Sequence, residues 1–235
     1  VRITLLPILS LWEGIKVLIK GFFPDYRALK DKPSIPLSCY EGCKVGVLLE
    51  KILNFHVKSG NKILDPTCGK RYIWEGFVEF HKWNIIYSDI KDFGYNLVCD
   101  FRDLKFDFKF DGIVFDPPYF FGVDNSDDRR EEDYGGYAHS YEELCNLMEQ
   151  AKDKFQQLLK DEGVLILKCQ DMFHVKTRKF YPLHITWVNL FSNTYCLKDI
   201  FIYKYHRVSP TAYQVKDRPC NIINHTYFLV FQKNI

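Results

Sequence analysis

Short apolar runs alternate along this chain with stretches of helical spacing, and glycine, proline or charged residues punctuate them. The runs Lys62–Asp65, Asn84–Ser88, Tyr95–Cys99, Gly112–Phe115 and Val164–Lys168 have the length and composition of buried strands. Helical spacing is set by Tyr40, Val47, Leu48, Ile52 and Phe55, and Gly60-Asn61 stops it. A second helix is predicted over Tyr141–Leu159, where Leu144, Leu147, Met148, Ala151, Phe155 and Leu158 share a face. Shorter helices are predicted over Tyr72–Phe77 and His184–Phe191. Tyr195–Tyr205 and Thr226–Gln232 then read as two long strands. Strands alternating with helices, closed by an antiparallel pair, predict an α/β fold with a mainly parallel sheet and helices on both faces.

Residues 3–23 are apolar enough to raise the question of a membrane span, but Glu13, Lys16 and Lys20 interrupt them. No Ala-x-Ala-like cleavage site follows, so neither a span nor a signal peptide is expected. An amphipathic helix over Leu9–Phe22 is predicted instead, within an N-terminal extension of about residues 1–35. The charged stretch Asp25–Pro36 follows as a loop. The length of 235 residues suits one large α/β domain over residues 1–235, with no separate target-recognition domain. A net charge of +2 does not by itself announce a nucleic-acid binder. The eight cysteines include no Cys-x-x-Cys pair, which points to reduced cysteines in a cytoplasmic protein rather than to a disulfide framework or a metal site. Cys39 and Cys43 are spaced to share a helix face.

Candidate chemistry gathers where the strands end. Phe115-Asp116-Pro117-Pro118-Tyr119 cannot continue a central strand, because neither proline donates to a ladder. A carboxylate, the carbonyls around two prolines and an aromatic ring therefore meet at the C-terminal edge of the sheet, where α/β folds bind ligands. Asp116 and the Pro117 carbonyl can each accept one N–H of an exocyclic amine, and Tyr119 can stack on the ring that carries it. A plain surface turn capped by Asp116 is the alternative. Upstream, Asp65-Pro66-Thr67-Cys68-Gly69 is a tight turn between a strand and a predicted helix, an arrangement that brings backbone N–H groups to a ligand. Asp89, followed by Ile90, ends the next strand 20 residues after Gly69, the spacing of an acid that bonds ribose hydroxyls; a solvated loop acid or a helix N-cap is the alternative. Asp100 and Phe101 follow the third strand, and either a base contact or a turn acid fits them. Lys168-Cys169-Gln170-Asp171 leaves a later strand on the same edge. Residues 121–139 form a long polar stretch, either a lid over the site or an inert excursion. Residues 206–224 mix Arg, Lys, His and Tyr without a hydrophobic period, as loops that touch phosphates and bases do, with a solvated hairpin loop as the alternative.

The order Asp65-Pro-Thr-Cys-Gly69, Asp89, Asp100, Asp116-Pro-Pro-Tyr119 resembles the S-adenosylmethionine-dependent amino-methyltransferases of nucleic acids. The likeness is strongest to the DNA adenine-N6 and cytosine-N4 enzymes and covers about residues 36–233. It implies a Rossmann-like class I methyltransferase fold, with a mainly parallel seven-stranded sheet and a final antiparallel strand. It implies S-adenosyl-L-methionine as cofactor. Asp65, Pro66, Thr67, Cys68 and Gly69 then wrap its methionine part, Asp89 and Ile90 the ribose, and Asp100 and Phe101 the adenine. Asp116, Pro117, Pro118 and Tyr119 become the catalytic motif, with Asp116 also at the cofactor. The implied partner is nucleic acid, DNA before RNA, contacted by residues 121–139 and 206–224. The family pattern Asp-x-x-x-Gly-x-Gly is broken, because Lys70 and Arg71 follow Gly69. RNA guanine-N2 or adenine-N6 methylation, protein-glutamine methylation and a non-catalytic subunit remain the alternatives. The glutamine enzymes usually carry Asn before the two prolines, where this chain has Asp116.

Overall fold

Alternation along β5 (Phe110–Phe115) shows how the sheet divides the core. In the computed structural model Ile113 and Phe115 point to one hydrophobic layer and Val114 to the other. The same period of two runs through β6 (Leu159–Cys169) and β10 (His225–Lys233). The structure describes residues 38–42, 44–119, 121, 138–174, 177–206 and 223–234. All of them lie in the compact unit Pro36–Ile235.

The other strands of the main sheet are β1 (Cys39–Gly42), β2 (Lys62–Asp65), β3 (Asn84–Asp89), β4 (Leu97–Val98) and β9 (Tyr195–Tyr205). Their order is β1-β9-β10-β6-β5-β2-β3-β4. Every neighbouring pair is parallel except those made by β10, which runs against both β6 and β9. The expected seven-stranded Rossmann-like sheet with one reversed strand is therefore present, from β4 to β9, and β1 adds an eighth strand at its edge. Helix α1 (Gly46–His56) packs Leu48, Leu49 and Ile52 on one face of the sheet. Helices α2 (Tyr141–Leu158) and α3 (Leu183–Phe191) pack Met148, Phe155, Trp187 and Phe191 on the other. Ser140 caps α2 by accepting the Glu143 N–H at 3.1 Å, while Glu143 accepts the His139 N–H at 2.8 Å.

The chain order places a topological switch point at β2. From β2 the chain moves outward to β3 and β4, then returns to form β5 on the other side of β2. The loops leaving β2 and β5 diverge there, which opens a crevice at the carboxyl ends of the strands.

Four expectations need correction. The helical spacing that begins at Tyr40 becomes helix only at Gly46. Residues 39–42 extend instead and pair with β9, whose outer edge would otherwise carry unpaired N–H and C=O groups. Cys39 is thus on an exposed strand, not on a helix face, and Cys43 lies outside the described residues. The helix predicted over Tyr72–Phe77 is only a 3-10 turn, Tyr72–Trp74, bracketed by positive φ at Arg71 (61°) and Gly76 (87°). Strand β6 starts at Leu159 rather than Val164 and carries Gly163 through an irregular stretch where Glu162 has φ 61°. A hairpin of β7 (Met172–His174) and β8 (Lys179–Tyr181) went unforeseen. The helix over Leu9–Phe22, the extension 1–35 and most of the stretches 121–139 and 206–224 lie outside the described residues. Among the described residues no helix is long and apolar enough to cross a membrane.

Candidate active site

The turn after β2 is built around a buried acid. Asp65 is wholly buried, and its carboxylate accepts the Trp74 indole N–H at 2.6 Å and the Thr67 backbone N–H at 3.1 Å. Burial pushes its pKa up to about 7 against the lowering effect of those two bonds, with Asp116 and Asp89 adding repulsion. Asp65 therefore anchors the turn from beneath. The next residues climb toward β3. The Cys68 N–H donates to the Ser88 carbonyl at 3.0 Å and the Gly69 N–H to Asp89 Oδ2 at 2.9 Å. Asp89 Oδ1 accepts the Lys91 N–H at 3.0 Å, and the Tyr95 hydroxyl donates to the Gly69 carbonyl at 2.6 Å. Burial, helped by Asp65 and Asp89, pushes the Cys68 thiol up to about 12, so it is no nucleophile at neutral pH.

Arg71 stands where the family pattern has its second glycine, and it keeps the backbone shape a glycine would supply. Its φ of 61° and ψ of 30° are left-handed. Its guanidinium lies 3.5 Å from the Tyr95 ring centroid and 4.3 Å from that of Tyr87. The strained residue is held in place by two aromatic faces.

The second wall comes from the exit of β5. The Asp116 backbone N–H donates to Thr67 Oγ1 at 3.2 Å, which fastens the Asp-Pro-Pro-Tyr segment to the β2 turn. The Asp116 carboxylate faces Lys168 near the end of β6, whose Nζ donates to Oδ1 at 2.9 Å and to Oδ2 at 2.7 Å. Lys168 is 8% exposed. Burial alone would lower the ammonium's pKa, but the charge of Asp116 and its hydrogen bonds outweigh burial and raise it. The Tyr119 ring centroid lies 5.9 Å from Lys168 Nζ.

These pieces enclose a cavity of about 670 Å³ at the switch point. Pro66, Thr67, Cys68 and Gly69 line it from the β2 turn, Asp89 and Ile90 from β3, and Asp100 and Phe101 from beyond β4. Asp116, Pro118 and Tyr119 close the opposite side. Of the residues singled out in the sequence, Asp65 and Pro117 do not line it; both are buried behind the wall. Asp100 lines it with its carboxylate already engaged. Its Oδ1 accepts from the Arg102 backbone and Nε, both at 2.9 Å, and its Oδ2 accepts from Arg102 Nη2, so the Asp100 carboxyl is held below its usual range.

The structure adds wall residues that the sequence reading had not marked. Glu143, Asn146 and Gln150 come from the polar side of α2, and Tyr205 comes from the end of β9. Nothing local distinguishes those α2 positions from an ordinary solvated helix face. Lys168 was legible as a residue of the ligand edge, but its partner was not.

No protein-family model matches the sequence, and no curated protein matches it. Several solved structures share its outline. The N-methyltransferase NodS of Bradyrhizobium japonicum in complex with S-adenosyl-L-homocysteine is 9% identical over 93% of this chain and 97% of that one, with a TM-score of 0.48. TrmN from Thermus thermophilus is 15% identical over 80% of this chain and 48% of that one, at 0.47. A TehB-like SAM-dependent methyltransferase from Corynebacterium glutamicum is 15% identical over 79% and 86%, at 0.44. At those values the likeness decides neither substrate nor chemistry.

Proposed function

We propose that this chain is an S-adenosyl-L-methionine-dependent methyltransferase acting on the exocyclic amino group of a nucleic-acid base, adenine N6 in DNA first. The observation that carries this reading is the Asp116–Thr67 bond, which fastens an amine-binding segment to a cofactor-type turn at the rim of one cavity.

The residues present fit the cofactor. The cavity volume lies within the few hundred to about 1,000 Å³ usual for such ligands. A Cβ at Gly69 would meet no protein atom within 4 Å, so the turn's backbone is open to a close neighbour. Asp89 spends one lone pair of each oxygen on a backbone N–H and keeps acceptor capacity for ribose hydroxyls. Phe101 sits under Asp100, packed against Phe115 and Phe155, as a wall for the adenine. When bound, the cofactor supplies an electrophilic methyl group on a sulfonium.

The chain's own part is to hold the amine. Asp116 accepts one N–H, a backbone carbonyl beside it accepts the other, and the nitrogen lone pair is left free to face the methyl group. Tyr119 stacks on the base, and in a duplex the base must first leave the helix at a cost of a few kcal/mol. The stretches 121–139 and 206–224 meet the nucleic acid. In support, Ala138 near the end of the first and Tyr205 just before the second both line the cavity.

The test is incubation with isotope-labelled S-adenosyl-L-methionine and, separately, duplex DNA, single-stranded DNA and structured RNA, followed by nucleoside mass spectrometry. Labelled N6-methyldeoxyadenosine is the expected product. Label found only in RNA would move the acceptor to RNA, and no label in any acceptor would sink the reading. Asp116→Ala should cut transfer by at least about 100-fold while cofactor binding survives. Circular dichroism checks that this variant folds, because it also strips Lys168 of its counter-charge.

A further inference from the structure

Lys168 occupies a position that the sheet reserves for apolar side chains. Along β6, Val164 and Ile166 point into the α1 layer, and Lys168 continues that row. It pairs across the sheet with Phe228, a member of the same layer. A lysine buried there costs several kcal/mol of desolvation, and a buried ion pair seldom repays it as stability. Its placement is better explained by what it does to its partner. Nζ bonds both oxygens of Asp116 at once, and Lys168 and Asp116 both line the cavity.

We propose that Lys168 is a positioning residue that holds Asp116 as a fixed acceptor for the amine. The proposal rests on the function given above. A carboxylate gripped on both oxygens cannot rotate freely, and its remaining lone pairs keep a set direction. Among the described residues, other titratable groups that act on Asp116 include Tyr205 from β9, Asp65 from β2 and Cys169 from β6. None of these supplies a positive charge.

The experiment uses the full chain as wild type, Lys168→Arg and Lys168→Met. Lys168→Met keeps the length and apolar stem but removes the charge and the N–H donors that grip both oxygens of Asp116. The carboxyl carbon resonance of Asp116, assigned by its loss in Asp116→Asn, should move in Lys168→Met from its wild-type position at pH 7, because both carboxylate oxygens lose their Nζ donor. Lys168→Arg should restore it. In the transfer assay Lys168→Met should lose about 100-fold in kcat near pH 7, with cofactor affinity unchanged. Lys168→Arg should recover much of that loss. An Asp116 resonance that does not move, or a Lys168→Met enzyme as fast as wild type, overturns the proposal. If wild type itself transfers no methyl group, the proposed function fails separately and the Asp116 resonance still decides the pairing. Lys168→Gln, a neutral donor, serves in place of Lys168→Met should that variant not fold.

Discussion

Arg71 offers a clean measurement of backbone strain, because the residue can be stripped in two ways. Arg71→Ala removes the guanidinium and leaves a Cβ in the left-handed region, where φ is 61°. Arg71→Gly removes both. A non-glycine residue in that region costs roughly 1–2 kcal/mol. Glycine gives back about 0.5–1 kcal/mol through its greater freedom in the unfolded chain. The balance leaves Arg71→Gly more stable than Arg71→Ala by about 0.5–1 kcal/mol. Each ring face under the guanidinium adds about 0.5–1 kcal/mol to wild type, and the buried Nε that finds no partner takes back about as much as the two together.

Urea unfolding at pH 7, followed by tryptophan fluorescence, reads all three; Trp74 begins three residues away in the same turn. A double-mutant cycle with Tyr95→Leu isolates the stacking, and a coupling energy of about 0.5–1 kcal/mol is expected. Arg71→Ala equal to or more stable than Arg71→Gly would refute the left-handed backbone at position 71. A coupling near zero would refute the aromatic clamp and leave the missing glycine without compensation.

Asp65 should make stability depend on pH. Its pKa is raised from 3.8 to about 7, so its contribution is full below pH 3.8 and is lost as pH rises through about 7. Against the non-titrating Asp65→Asn, wild type should lose about 3 kcal/mol between about pH 5 and pH 8 in urea melts; a constant difference would show that Asp65 is not held neutral. Gly46→Ala should destabilise, although alanine favours helices by about 1 kcal/mol. Its Cβ would sit 2.6 Å from the Glu75 carbonyl oxygen and from the Trp74 carbonyl carbon, both backbone atoms that cannot swing aside. A loss of about 1–3 kcal/mol is expected in the same melts, and a gain would show that α1 does not abut the β2 turn so closely.

Much of this protein is written in short-range patterns. Apolar runs bounded by breakers place β2, β5 and β6, since strand burial depends on neighbouring residues, and a period of 3.6 places α2 almost to the residue. The acids at the strand exits are legible for the same reason: a strand must end before Pro117, and what ends a strand in an α/β sheet faces the ligand edge. The reversed last strand was also readable, as two long strands with no helix between them in the pattern.

Tertiary structure decided the rest, wherever the partner lies far along the chain. Tyr40 belongs to a strand because the edge of β9, some 160 residues on, needed pairing. Tyr72–Trp74 forms one 3-10 turn because Asp65 draws in the Trp74 indole and Arg71 and Gly76 turn the backbone left-handed on either side. Asp100 and Asp116 look alike in the sequence, as acids just past strands. In the fold the first is gripped by Arg102 two residues away and the second by Lys168 across the sheet. A side chain's chemistry follows from the charge and solvent around it, and those are set by which strands lie side by side.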